Sequence, residues 1–243
     1  MQPVDETPPE DPVTFAKPHY PSRDSPIIDQ GTAGKSSLDE YKRRHDKREA
    51  RIDAKFGRFA GVVKFLTDDP QSITAWAKGS VGERALATSL EKNLGEHAII
   101  LSDRRVPKTR GNIDHLVVAP SGVWVVDAKN YSGLVEHRDV GGWFKTDLRL
   151  YVGGRDRSKV LDGLAWQVEA VQSALEGNNV PVLAAVCFTD AEWRLFAKPF
   201  ILRGVYVSGP NALARKIAES PKQTSDEVLK IASRLSQSLP PKS

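Results

Sequence analysis

Two aspartates and a lysine are spaced so that a β-hairpin would bring them together. Asp127 and Lys129 end the apolar run G-V-W-V-V-D-A-K at 122–129, and Asp114 lies in N-I-D-H-L-V-V at 112–118. Between the runs stand Ala119, Pro120, Ser121 and Gly122, turn residues that predict two antiparallel strands joined by a short loop. With those four as the loop, Val118 faces Val123, Leu116 faces Val125 and Asp114 faces Asp127. Side chains alternate along a strand, so Asp114, Leu116 and Val118 share a face with Val123, Val125, Asp127 and Lys129. Directly opposed like charges are destabilising, so a cation belongs between the aspartates. Lys129 supplies one. A divalent metal is another, because Mg²⁺ takes one or two carboxylates and leaves its remaining octahedral positions to water and a substrate phosphate. A structural ion pair between Asp127 and Lys129 explains the same spacing, and spacing alone does not separate the two readings.

Glu83 is the third acid of interest. It precedes Leu86, Ala87 and Leu90 by helical steps, so its carboxylate falls on the inward face of a helix, where a charge is rare unless paired or metal-bound. Ser80 and Glu83 also match the S-x-x-E capping box, and on spacing alone the cap is the favoured reading.

Together, G-S-V-G-E-R at 79–84, G-N-I-D-H-L-V-V at 111–118 and G-V-W-V-V-D-A-K-N-Y-S-G at 122–133 resemble the nuclease-related domain, a branch of the PD-(D/E)xK nuclease superfamily. The resemblance covers roughly 78–190. It implies a mixed sheet with flanking helices, a restriction-endonuclease-like core, and a divalent-metal phosphodiesterase centre. By motif position, Asp114 and Asp127 would bind Mg²⁺ or Mn²⁺, Lys129 would stabilise or activate the attacking water, and Glu83 would assist. The family usually has glutamate at the position of Asp127, so the aspartate shortens the reach by one methylene. It also tends to show an Asn-Pro pair before a helical glutamine; here Gly163 and Leu164 stand in its place, followed by Trp166 and Gln167. Gln167 lies beside the stripe of Leu164, Val168, Val171 and Leu175, where it either reaches the site or borders the core.

The approach to Asp114 is basic. D-R-R-V-P-K-T-R-G at 103–111 offers Arg104, Arg105, Lys108 and Arg110 as contacts to a nucleic-acid backbone. A second basic element lies at 38–66, a helical pattern carrying Lys42, Arg43, Arg44, Lys47, Arg48, Arg51, Lys55 and Arg58 against Asp46, Glu49 and Asp53. The whole chain is only +4, so nearly all of its net basicity sits there. That helix is either a phosphate-facing element, with Arg43 and Arg44 as contacts, or a solvated helix laced with i,i+4 pairs. Its later half carries an apolar stripe, Ile52, Phe56, Phe59, Val63 and Leu66. Trp124, Tyr131 and Trp143 are aromatic candidates for stacking on bases or for packing. The histidines show no paired metal-ligand spacing, and His115 points to the face opposite Asp114, which makes it structural.

The remaining organisation follows from composition. Residues 1–37 hold seven of the sixteen prolines and predict a disordered arm. Within it Q-G-T-A-G-K-S-S lacks the first glycine of a phosphate-binding loop and reads as a linker ending in a helix cap. After the basic amphipathic helix (38–68) comes the nuclease-related domain (76–208), then C-terminal helices (209–243). Further strands are expected at 98–101, near Trp143 and Phe144, and at 182–188 and 204–207; helices are expected from near Ser80 and over 160–176, 211–219 and 225–237. The fold class is α/β: a mixed sheet flanked by helices, with a basic N-terminal helix. One cysteine, Cys187, in an apolar run excludes an intrachain disulfide and a thiolate zinc cluster. No signal peptide and no apolar run near ~18 residues is visible, so a cytoplasmic protein is expected. The expected activity is a Mg- or Mn-dependent nuclease acting on DNA before RNA, with a homodimer and a protein partner of the N-terminal arm left open. The competing class is a catalytically inactive nucleic-acid-binding or scaffold protein of the same fold.

Overall fold

The computed structural model describes residues 28–57, 70–109, 111–195, 197–219 and 222–242. Expectations placed on the Pro-rich arm before residue 28, on Arg58, Phe59, Val63 and Leu66, on Arg110 and on the Phe56 side chain lie outside the described residues.

Two helices come first, α1 (Lys35–Phe56) and α2 (Gln71–Leu94). Three antiparallel strands follow: β1 (Ile99–Arg105), β2 (Asn112–Ala119) and β3 (Gly122–Lys129). The chain then builds a smaller sheet from β4 (Gly133–Asp139), β5 (Leu148–Val152) and β6 (Arg155–Asp156). Next come α3 (Lys159–Asp162), α4 (Ala165–Ala174), β7 (Val182–Phe188), β8 (Ala191–Glu192), β9 (Phe200–Leu202), β10 (Val205–Ser208), α5 (Pro210–Ala218) and α6 (Ser225–Ser238). The large sheet has the order β1-β2-β3-β7-β10-β9, with β7 parallel to both β3 and β10 and the other neighbours antiparallel. The small sheet, β6-β5-β4-β8, is also mixed.

The near-continuous apolar runs of β2, β3 and β7 reflect burial on both faces of the large sheet. One face packs Val117, Trp124, Val126 and Cys187 against Leu86 and Leu90 of α2 and Leu213 and Ile217 of α5. The other packs Leu116, Val118, Val125 and Val186 against Leu164 and Val171 from the α3–α4 segment and Val228 and Leu235 of α6. Cys187 is a small core residue whose thiol burial pushes up.

The hairpin register is the expected one, with Val118 opposite Val123 and Leu116 opposite Val125. Ala119 also pairs with Gly122, so the loop is two residues, and Gly122 takes φ 133°, open to glycine alone at little cost.

The edge strand β1 is covered at both ends, which removes a template for further strand pairing. Ser102 N donates to Gln30 O at 2.7 Å, while Arg105 N donates to Pro240 O and Lys242 N to Asp103 O, each at 2.8 Å. Residues 28–34, read with the Pro-rich arm from sequence, therefore run along the sheet. Helix α1 has no local side-chain cap; the buried Asp103, on β1, accepts from Ser36 N and from Ser36 Oγ, both at 2.7 Å. A carboxylate placed there satisfies an orphan donor and complements the helix dipole.

Three expectations about elements are corrected. Helix α2 begins at Gln71, so Ser80 and Glu83 sit in its interior and form no capping box. Trp143 and Phe144 occupy the turn between β4 and β5. The helix expected over 160–176 breaks into α3 and α4 around Gly163.

Candidate active site

Helix α2 crosses the carboxyl end of β3 at very short range. A Cβ added to Gly82 would lie 2.8 Å from Asn130 Cβ and 2.9 Å from Thr189 Oγ1, and Asn130 Nδ2 donates to Lys78 O at 2.8 Å. The absence of a side chain at 82 lets the helix close onto the strand ends and brings Glu83 to the same pole as Lys129. Gly79, one turn earlier, would give its Cβ only ordinary contacts of 3.9 Å or more. The two glycines should therefore respond to alanine with opposite signs. Gly79→Ala is expected to raise stability by up to about 1 kcal/mol through helix propensity. In Gly82→Ala overpacking of about 1–3 kcal/mol outweighs that gain, so its melting temperature should fall; a rise would show that close approach is not what glycine serves there.

The β2–β3 ladder ends at the pair His115 and Val126, and the strand ends beyond it carry the charges. Asp114 Oδ2 accepts from Ala128 N at 3.0 Å, which leaves its other oxygen free of this bond. Lys129 Nζ lies 2.5 Å from Asp127 Oδ1, with the aspartate side chain 12% and the lysine 25% exposed. Asp114 and Asp127 stand at the facing ends of β2 and β3, each next to the last residue of its strand in the β2–β3 pairing. Burial, followed by the charges of Asp127 and Glu83, raises the Asp114 carboxyl well above the usual aspartate range. Burial alone would lower the Lys129 ammonium, but Asp127 and Asp114 hold it above its usual range, so it is cationic.

Glu83 is buried, 4% exposed. Its Oε1 accepts from Ser37 Oγ at 2.6 Å, and its Oε2 has no hydrogen-bond partner. Burial raises its carboxyl, with Asp103 and Asp127 adding to the rise while Ser37 and Lys129 oppose it. The serine is a contact that sequence reasoning missed: it stands 46 residues away on α1.

This donor set suits a hard divalent cation. Two carboxyls at facing strand ends favour a proton or a cation between them, and Glu83, whose charge acts on Asp114, has a buried carboxylate oxygen without a partner. Among the described residues no three acidic, imidazole or thiol groups form a ready-made coordination cluster. The arrangement is the open, two-carboxylate kind that Mg²⁺ completes with water and phosphate oxygens.

The other expected residues separate into three groups. Gln167 is buried on α4, which packs on β3 and β7, and its amide oxygen has no partner. Arg104 is corrected: it is fully buried and donates to Leu239 O at 2.6 Å, Asp29 O at 2.9 Å and Ser236 O at 2.9 Å, so it is not available to a phosphate. Arg105 and Lys108 are exposed at the β1–β2 turn. On α1, Arg43 and Arg44 both bind Glu40, holding its carboxyl down to about 2, and Arg44 also stacks over Trp76 at 5.4 Å. His115 is fully buried with Nδ1 3.2 Å from Ser102 Oγ, and burial lowers it to about 4. A neutral, enclosed imidazole fits the structural reading. Of the aromatic candidates, Trp124 is buried and donates to Ser121 Oγ, Tyr131 is half-buried against Phe188, and Trp143 is 97% exposed.

The family model of the nuclease-related domain (NERD) matches residues 78–189. Over that span the chain is similar to a nuclease-related domain. The match takes in α2 from Lys78 onward, the strands β1–β6, α3, α4 and β7, and so contains Glu83, Asp114, Asp127, Lys129 and Gln167. No curated protein and no solved structure matches the chain. Residues outside the domain complete its charged pole, since Ser36 and Ser37 of α1 bind Asp103 and Glu83. Among the described residues no helix is long and apolar enough to cross a membrane.

Proposed function

We propose that the protein is a metal-dependent phosphodiesterase acting on nucleic acid, DNA before RNA. The observation that carries this reading is the placement of Asp114 and Asp127 at facing strand ends beside a cationic Lys129, at the carboxyl ends of β3 and β7 where open α/β sheets receive ligands. Asp114 and Asp127 would hold Mg²⁺ or Mn²⁺. When bound, such a metal supplies a water of lowered pKa and offsets charge on the phosphate.

The protein's own groups do the rest. Lys129 Nζ, fixed by Asp127, places a positive charge where negative charge grows on the phosphate oxygens. Asp114, held by Ala128 N, keeps one oxygen directed away from the backbone contact. Glu83, held by Ser37 Oγ, directs its unpartnered oxygen to the same pole as a further acceptor for water. Six basic side chains, Arg43, Arg44, Lys47, Arg48, Arg51 and Lys55, line a groove of about 570 Å³ between α1 and the start of α2. That groove is suited to a polyanion backbone read without sequence.

The test is cleavage of supercoiled plasmid and of circular single-stranded DNA by protein stripped with EDTA, then given Mg²⁺ or Mn²⁺. Cutting only after a metal is restored is the expected result. Salt-sensitive binding without cutting, under every metal and on every substrate tried, would move the reading to a binding or scaffold protein of the same fold.

A further inference from the structure

A second cleft opens beside the proposed catalytic pole, between the small sheet and α3. It holds about 570 Å³ and is lined by Tyr131, Arg149, Arg157, Lys159 and Arg203 with Asp147, Asp156 and Asp162 among them. The volume lies within the ~300–1,000 Å³ typical of small-molecule sites, room for one phosphate with its attached sugar or base. Charge pairing within it is uneven. Arg149 bridges Asp147 at 2.7 Å and Asp156 at 3.3 Å, and Arg203 joins Asp162 at 3.0 Å and Asp147 at 3.9 Å. Those contacts use every acid in the cleft. Among the described residues Arg157 and Lys159 have no carboxylate partner, and Arg157 Nε is enclosed without any acceptor.

Arg157 is nonetheless held in place. Its backbone N donates to Leu150 O at 2.8 Å, Ser158 Oγ accepts from Leu150 N, and the guanidinium lies 4.6 Å over the Tyr131 ring. Tyr131 in turn packs on Phe188, the residue opposite Lys129 in the parallel β3–β7 pair. One tyrosine therefore links the unpaired arginine to the proposed catalytic lysine. A guanidinium pre-ordered on an aromatic ring keeps its planar donor fork for a phosphate, and that fork discriminates Arg from Lys.

We infer that Arg157, backed by Tyr131 and assisted by Lys159, binds a phosphodiester of the nucleic-acid strand next to the one being cut. This subsite rests on the proposed nuclease reading and specifies which cation holds the strand on that side of the pole. It would contribute to binding and register and leave the chemical step to the aspartates and Lys129.

The test is anisotropy of a fluorescein-labelled oligonucleotide, single-stranded and as a duplex, titrated in EDTA over a series of salt concentrations. Arg157→Gln is expected to weaken binding about tenfold, or about 1.4 kcal/mol. The slope of log K against log salt should shrink by about 0.7–0.9, the loss of one phosphate contact. Arg157→Lys should restore the slope, since the charge stays, with affinity still below wild type because the fork is lost. Lys159→Gln, at an exposed position, should shrink the slope in the same direction and decides the matter if Arg157→Gln fails to fold. Unchanged affinity and slope in Arg157→Gln, against a wild type that binds, would overturn the subsite and leave the nuclease reading standing. A wild type that binds neither form of the oligonucleotide would also overturn the subsite, and cleavage with metal restored decides the nuclease reading separately.

Discussion

Lys129→Ala is expected to slow phosphodiester cleavage by about 10²–10³-fold, the cost of removing one fixed charge from a developing anion. The side chain is well placed for that loss to fall on kcat. Its ammonium is tied to Asp127 at 2.5 Å, and the charge of Asp114 also acts on it, so its position is set before substrate arrives. The effect on stability should be smaller, because the lysine is a quarter exposed at a strand end. Steady-state rates on plasmid in saturating Mn²⁺, measured for wild type and variant purified side by side, check the prediction. Equal rates would show that the lysine is dispensable or that a contaminant does the cutting.

Arg104→Leu should produce the largest loss of stability, about 3–5 kcal/mol. The guanidinium is fully buried and its donors reach the carbonyls of Asp29, Ser236 and Leu239. It thereby joins the segment before α1, the edge strand β1 and the end of α6. A leucine replaces much of the volume but leaves buried carbonyls without their charged donor, and each such bond is worth about 1.5–3 kcal/mol. For a chain of this size the melting temperature should fall by roughly 6–20 °C. A fall of a degree or two, read by circular dichroism or calorimetry, would contradict the account of how the two ends are fastened.

The charged hairpin was legible because everything that sets it is local. Turn residues at 119–122 fix where the chain reverses, the two-residue period fixes the face, and register follows, placing Asp114 by Asp127. Glu83 was legible as an inward charge but not in its partner. The capping box failed because α2 starts nine residues before Ser80, and Gly82, inside the helix, serves close packing. Arg104 shows the same limit from the other side. In sequence it belongs to a basic loop, yet its acceptors lie 75 and 135 residues away, a distance at which no local pattern carries information. The β4–β5 hairpin escaped notice because its strands are partly exposed and alternate weakly, while the apolar pair Trp143 and Phe144 sits fully exposed in its turn. Arg157 gave no signal at all, since its distinction is that the acids around it, Asp156 included, are paired with other arginines.

The central claim is that Asp114 and Asp127 are a pair because they share a divalent cation. Binding of Mn²⁺ to protein freed of metal, followed by electron paramagnetic resonance or calorimetry, tests it without reference to any substrate. The account predicts one saturable site per chain in the wild type, lost in Asp114→Asn and in Asp127→Asn while the fold is retained. Undiminished Mn²⁺ binding in both variants would contradict it and leave the hairpin charges as an ion-pair cluster.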